Sequence, residues 1–181
     1  MSRAFDIAVP SIAFHPGIVP ALAPGTGAAQ SFMHYADIQS FMSFSHTARW
    51  TPRKLPGGTT DRHRVLVVDD YHDGAEAISV FLSLSGYETR FVLSGREVGG
   101  AITAWTPDIA LLDINMPGMD GFCVARQLRD NPRTEDILII AFTAQDLSTV
   151  WRRGIAAGFD GYCQKGGTPD VLIHFLSQMC R

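Results

Sequence analysis

PDIALLDINMPGMDGF, residues 107–122, decides how the chain folds. An apolar run, Ile109 to Leu112, ends in a bare carboxylate, Asp113. A Pro-Gly turn follows at Pro117-Gly118, and Asp120-Gly121 then opens onto GFCVARQLRD (121–130), which has helical spacing. A short apolar run without alternation reads as a strand buried on both faces, the habit of a parallel sheet covered by helices. A strand, a sharp turn and a helix in immediate succession read as part of a βαβ unit. Asp113 alone has a structural reading, as a turn or capping residue. It also has a chemical one, as a carboxylate held at a sheet edge.

Working outward, the same unit recurs. RVLVVDD (64–70) is a β-branched run ending in acid, and AEAISVFLSLSG (75–86) has helical spacing with a Gly stop. YETRFVL (87–93) alternates, and SGREVGGAITAW (94–105) reads as a helix weakened by Gly99-Gly100. Beyond the opening stretch come DILIIAF (136–142), DLSTVWRRGIAAG (146–158), DGYCQ (160–164) and TPDVLIHFLSQMC (168–180). Strand and helix thus alternate five times. The expected class is α/β, a doubly wound five-stranded parallel sheet with right-handed crossovers. In the common 2-1-3-4-5 strand order the reversal falls between the first and third strands, and ligands bind at such a reversal. That order would bring Asp69 and Asp70 beside Asp113.

The polar residues that close the strands are Asp69-Asp70, Asp113, Thr143 and, after the fifth strand, Lys165. Each has an ordinary reading: a solvated turn for the Asp pair, a helix cap for Thr143, a surface lysine for Lys165. All five would nevertheless lie along one edge. Three carboxylates gathered there repel one another, and a hard cation such as Mg2+ relieves that repulsion with oxygen ligands. A lysine and a hydroxyl beside them would complete a pocket for a phosphoryl group.

VLVVDD, PDIALLDINMPGMDGF, IIAFTA and AGFDGYCQK, in this order and spacing, resemble the receiver domain of two-component response regulators. The resemblance covers roughly residues 62–180. It implies a flavodoxin-like (βα)5 fold, chemotaxis-regulator-like, as a single receiver domain. It implies Asp113 as phosphoacceptor, taking the group from phosphohistidine of a sensor histidine kinase or a histidine phosphotransfer protein. Asp70 and Asp113 would ligate Mg2+ together with the backbone carbonyl of Asn115, and Asp69 would act through water or a second layer of contact. Lys165 would pair with the carboxylate or the phosphoryl oxygen. Thr143 would turn its hydroxyl onto the phosphoryl group, and Tyr162 would be the aromatic switch that swings inward as Thr143 moves. Asn115 and Gln145 stand where the family tunes hydrolysis of the acyl phosphate. The readout face, about residues 146–180, would also be where a weak homodimer forms. Gly166-Gly167 stands where the family has a proline, so a trans, more flexible loop is expected.

Two other readings remain beside it. One is a receiver-like interaction module that no longer cycles phosphate. The other is an aspartyl-phosphate phosphatase of the haloacid dehalogenase type, but that family places Asp-x-Asp after its first strand, whereas here the pair is adjacent. No dedicated enzyme is expected beyond self-phosphorylation and dephosphorylation.

Composition sets the remaining bounds. The chain has 181 residues and a formal net charge of −3, with no basic stripe to suggest nucleic acid. Cys123, Cys163 and Cys180 are odd in number and widely spaced, which fits neither a disulfide framework nor a zinc site. No apolar run approaches the ~20 residues that span a bilayer. A cytoplasmic protein is expected. Residues 1–60 hold six of the ten prolines and no glutamate. They read as a flexible or disordered N-terminal extension, with aromatic-rich SFMHYADIQSFMSF (31–44) inside it, ahead of a receiver domain at 61–181. Output is expected through protein contact.

Overall fold

The structure, a computed structural model, describes residues 46–55 and 62–180. In chain order the elements are β1 (Thr47–Arg49), β2 (Arg64–Val68), α1 (His72–Leu84), β3 (Glu88–Val92) and a 3-10 turn (Gly95–Glu97) that runs into α2 (Val98–Ala104). Then come β4 (Ile109–Leu112), α3 (Gly121–Arg129), β5 (Leu138–Thr143), α4 (Leu147–Ala157), β6 (Gly161–Gln164) and α5 (Pro169–Met179). The sheet runs β1-β6-β5-β4-β2-β3. The five strands from β2 onward pair in parallel and reproduce the expected 2-1-3-4-5 order.

Strand periodicity divides the core. Leu66, Val68, Ala110, Leu112, Ile139 and Ala141 face one side, under α2, α3 and α4. Val65, Val67, Ile109, Leu111, Leu138 and Ile140 face the other, under α1 and α5. Successive side chains of a strand point to opposite faces, so an unbroken apolar run such as ILIIAF (137–142) fills both layers. Burying a side chain of Val, Leu or Ile size contributes about 1.5–3 kcal/mol. The weak 94–105 segment becomes a 3-10 turn and a helix of only seven residues. Its Gly pair sits on the exposed side, where a Cβ would meet nothing within 4 Å.

The sheet has six strands rather than five, and this corrects the domain boundary expected from sequence. Residues 46–55 do not behave as a flexible extension. β1 pairs antiparallel with β6, with Thr47, Ala48 and Arg49 opposite Cys163, Tyr162 and Gly161. Trp50 is buried with the α4 layer and Leu55 with the α5 layer, so the segment wraps the sheet edge and plugs both cores. Two glycines make room for it. A Cβ on Gly161 would lie 2.9 Å from the Ala48 carbonyl oxygen, and one on Gly154 would lie 2.4 Å from a carbon of the Trp50 ring. The same pairing changes the expected readout face: the β6 edge between α4 and α5 is occupied by the chain itself. The rest of the expected extension, including 31–44, lies outside the described residues.

Candidate functional site

The strand ends meet at the C-terminal edge of the sheet. β2 delivers Asp69 and Asp70, and β4 delivers Asp113, because Val68 and Leu112 lie opposite each other in register. Asp113 is pinned by its own backbone, its N–H donating to the Val68 carbonyl at 2.8 Å. Behind it the start of α3 presses against the acceptor strand: a Cβ on Gly121 would stand 2.2 Å from the Asp113 carbonyl oxygen. Asp120 caps that helix, accepting from the Cys123 N–H at 2.8 Å. Gly118, at φ +79°, allows the loop to turn. The Asp-Gly pair in the opening stretch is thus a helix start fitted against the strand end.

Carboxylate oxygens of Asp69, Asp70 and Asp113 lie within 4.8 Å of one another. Asp69 and Asp113 are buried, and Asp70 is exposed at the mouth. The Lys165 ammonium bridges the two buried acids, at 2.7 Å from Asp69 Oδ2 and 2.8 Å from Asp113 Oδ2. Burial alone would lower the lysine's pKa. Hydrogen bonds and charge from Asp113 and Asp69 outweigh it, and the ammonium is held above its ordinary range. Three carboxylates therefore face one cation. The other oxygens of the two buried acids accept backbone donors: Asp69 from Tyr71 N–H at 3.2 Å, and Asp113 from Asn115 N–H at 3.3 Å. An oxygen-only donor set with surplus negative charge fits a hard divalent cation.

Lys165 reaches this position without a proline behind it. Its N–H donates to the Thr143 carbonyl at 2.9 Å, which ties the β6 end to β5. Gly166 turns the chain at φ +95°, and no cis peptide occurs among the described residues, as expected for a Gly-Gly loop. Thr143 is buried at the end of β5, and its Oγ1 accepts from the Gln145 N–H at 3.4 Å. The Gln145 side-chain amide donates to Asn115 Oδ1, so the two tuning positions touch across the mouth of the site. Tyr162 lies inward and fully buried, and its hydroxyl donates to the Gln145 carbonyl at 2.7 Å. Burial, followed by the Asp146 and Cys163 charges, raises its pKa, so it stays a donor.

All the residues singled out from sequence are thus found along one edge or one contact away from it. Sequence reasoning missed what lies behind Tyr162. Trp50 stacks on that ring at a centroid distance of 6.3 Å and an interplanar angle of 23°. The available signal was the alternation in TARW (47–50), where Ala48 and Trp50 are the inward positions.

A doubly wound parallel sheet with an acid cluster and a lysine at its strand-order reversal defines the class of flavodoxin-like signalling folds. The sequence matches the response regulator receiver domain family over residues 65–177, and the chain belongs to that family. It is 37% identical over 116 residues to response regulator MprA of Mycolicibacterium vanbaalenii, covering 64% of this chain and 48% of that one. It is 35% identical over 110 residues to response regulator PleD of Caulobacter vibrioides, covering 61% of this chain and 24% of PleD. The chain therefore spans about half the length of MprA and less of PleD. Among solved structures, Vibrio cholerae chemotaxis protein CheY4 superposes with a TM-score of 0.63 at 27% identity, over 65% of this chain and 98% of CheY4. Among the described residues no helix is long and apolar enough to cross a membrane.

Proposed function

We propose that the domain accepts a phosphoryl group on Asp113 from a phosphohistidine of a sensor histidine kinase or a histidine phosphotransfer protein. The carrying observation is the meeting of Asp69, Asp70 and Asp113 with Lys165 at the sheet edge. Asp113 is fixed by a strand on one side and Gly121 on the other, and rigid placement favours in-line attack. A carboxylate oxygen of Asp113 forms the new P–O bond as the P–N bond breaks, and the bonding pair stays on the imidazole nitrogen. Lys165 offsets the charge that makes one anion resist another. Thr143 donates its hydroxyl to the transferred group, a contact that exists only after transfer and therefore favours the state that makes it.

Asp70, Asp113 and the Asn115 carbonyl would hold Mg2+, with Asp69 behind them. When bound, the ion supplies neutralisation of phosphoryl oxygens. The Asn115 and Gln145 amides border the site and would set how freely water reaches the acyl phosphate. In this reading the domain acts in the cytoplasm, its readout is a protein contact rather than nucleic acid, and it is a switch rather than a dedicated enzyme.

The test is intact mass after incubation with Mg2+ and acetyl phosphate. Wild type should gain one phosphate and Asp113→Asn none. Equal gain in both proteins, or none in either, would return the domain to an interaction module that does not cycle phosphate.

A further inference from the structure

We propose that residues 46–55 form an intramolecular strap whose docking is coupled to the acceptor site, with Trp50 as the positioning residue for Tyr162. The proposal rests on Asp113 being the phosphoacceptor. The strap closes the β6 edge with backbone bonds at both ends: Gln164 N–H donates to the His46 carbonyl at 2.7 Å, and Trp50 N–H to the Asp160 carbonyl at 2.8 Å. The Trp50 indole fills the space between Tyr162 and the bare backbone of Gly154 on α4, and meets Phe159 edge-on at 6.4 Å. Farther along, Thr51 Oγ1 donates to Asp160 Oδ1 at 2.6 Å, and Arg53 Nε lies 3.2 Å from the same oxygen.

Direct contacts lead from the indole to the acceptor. Trp50 stacks on Tyr162, whose hydroxyl holds the Gln145 carbonyl. The Gln145 N–H holds the Thr143 hydroxyl oxygen, and its side chain holds Asn115, whose own N–H donates to Asp113. The stack exists only while the Tyr162 ring is inward. Recruiting the Thr143 hydroxyl to a phosphoryl oxygen keeps the Gln145 segment, and so Tyr162, in that position. Phosphorylation and strap docking therefore favour the same arrangement, and each must strengthen the other by the same factor.

The strap is also built to release. Among the described residues, the buried side-chain donor without a partner is Trp50 Nε1. Undocking would give that donor to water, so the docked state is weaker than its burial alone implies. A displaced strap would uncover the β6 edge, an unpaired strand that a protein partner can pair with.

Contact alone does not establish coupling, and hydrogen exchange measures it. The full chain is followed by mass spectrometry over peptides covering 46–55, with Mg2+ alone and with Mg2+ plus beryllofluoride as phosphoryl analogue. Saturating beryllofluoride should slow exchange of the strap amides at least about fivefold, with no change in Asp113→Asn. Calorimetric titration should show Trp50→Ala binding beryllofluoride at least about fivefold more weakly. Arg53→Ala, which loosens the strap without touching the aromatic stack, should weaken binding in the same direction, and it decides the matter if Trp50→Ala does not fold. Unchanged strap exchange and equal affinities, in a protein that takes phosphate on Asp113, would overturn the coupling and leave the acceptor reading standing. Failure of wild type to take either phosphate or beryllofluoride would remove both.

Discussion

Two sites built on buried carboxylates sit at the two ends of β6, and they follow opposite principles. At its C-terminal end Asp69 and Asp113 share one ammonium, that of Lys165, with the third carboxylate, Asp70, beside them. At its N-terminal end a single carboxylate, Asp160, is surrounded by partners. It pairs with the Arg129 and Arg53 guanidiniums, accepts the Thr51 hydroxyl at 2.6 Å and accepts the Ile139 N–H at 2.9 Å. The first cluster carries surplus charge and opens to solvent through Asp70. The second is saturated and closed. A saturated buried charge fixes structure, because removing one partner strands the rest. An unsaturated one costs stability and is kept where chemistry needs the charge.

The largest expected effect separates the two directly. Asp160→Ala leaves Arg129 half-buried without its carboxylate and frees the Ile139 N–H, and should cost about 3–5 kcal/mol. Asp113→Asn removes one charge from a crowded set and should change stability by less than about 1 kcal/mol in either direction. Urea titrations of both variants, compared at equal m, give the numbers. A loss at Asp113→Asn as large as that at Asp160→Ala would mean that the acceptor cluster is structural too, and the contrast would collapse.

A cation should relieve the crowded cluster and ignore the saturated one. Mg2+ at ten times its dissociation constant should add about 1.4 kcal/mol to unfolding free energy. Asp70→Asn should abolish most of that gain, and sodium chloride at matched ionic strength should not reproduce it. Equal Mg2+ stabilisation of wild type and Asp70→Asn would place the ion elsewhere.

The two clusters also differ in how much of them the sequence reveals. Asp69, Asp70, Asp113 and Thr143 each terminate an apolar run, and a parallel sheet sends all such ends to one edge. A local pattern plus one topological rule therefore assembles the site. Asp160 follows no such rule. Its partners Arg129 and Arg53 stand 31 and 107 residues away in the chain, and only the folded edge brings them together. β1 is hidden for a related reason. Three residues with one buried position, Ala48, carry too little periodicity to read as a strand, and their stability comes from pairing with β6 rather than from propensity. The small residues that receive the strap, Gly154 and Gly161, carry no signal of that role in the local sequence, where a glycine inside a helix or strand only weakens it. In the fold they are the surfaces on which Trp50 and Ala48 rest.

The smallest effect concerns pH, and it tests which end of β6 fails first in alkali. Cys163, on β6 beside the acceptor end, is buried, and burial pushes its thiol from 9.0 up to about 12. Lys165 is likewise held above its ordinary range once Asp113 and Asp69 outweigh its burial. A group whose pKa is raised by folding stabilises the fold fully below its unfolded pKa and loses that contribution as pH rises toward the folded value. Stability should therefore fall between pH 9.0 and about 12, the window set by Cys163, with Lys165 adding at its upper part. At the other end Arg129 is lowered by burial, but the Asp160 charge counters this, and arginine starts above about 12. That end keeps its charge through most of the window. Cys163→Ala should make the decline with pH shallower by roughly 1 kcal/mol per pH unit at most, whatever it does to stability at pH 7. Urea midpoints measured from pH 8 to 10.5 at constant ionic strength decide it. Identical slopes in wild type and variant would show that the thiol titrates alike in the folded and unfolded chain, so that its pKa is not raised by folding, and would move the weak point to the lysine and its two carboxylates.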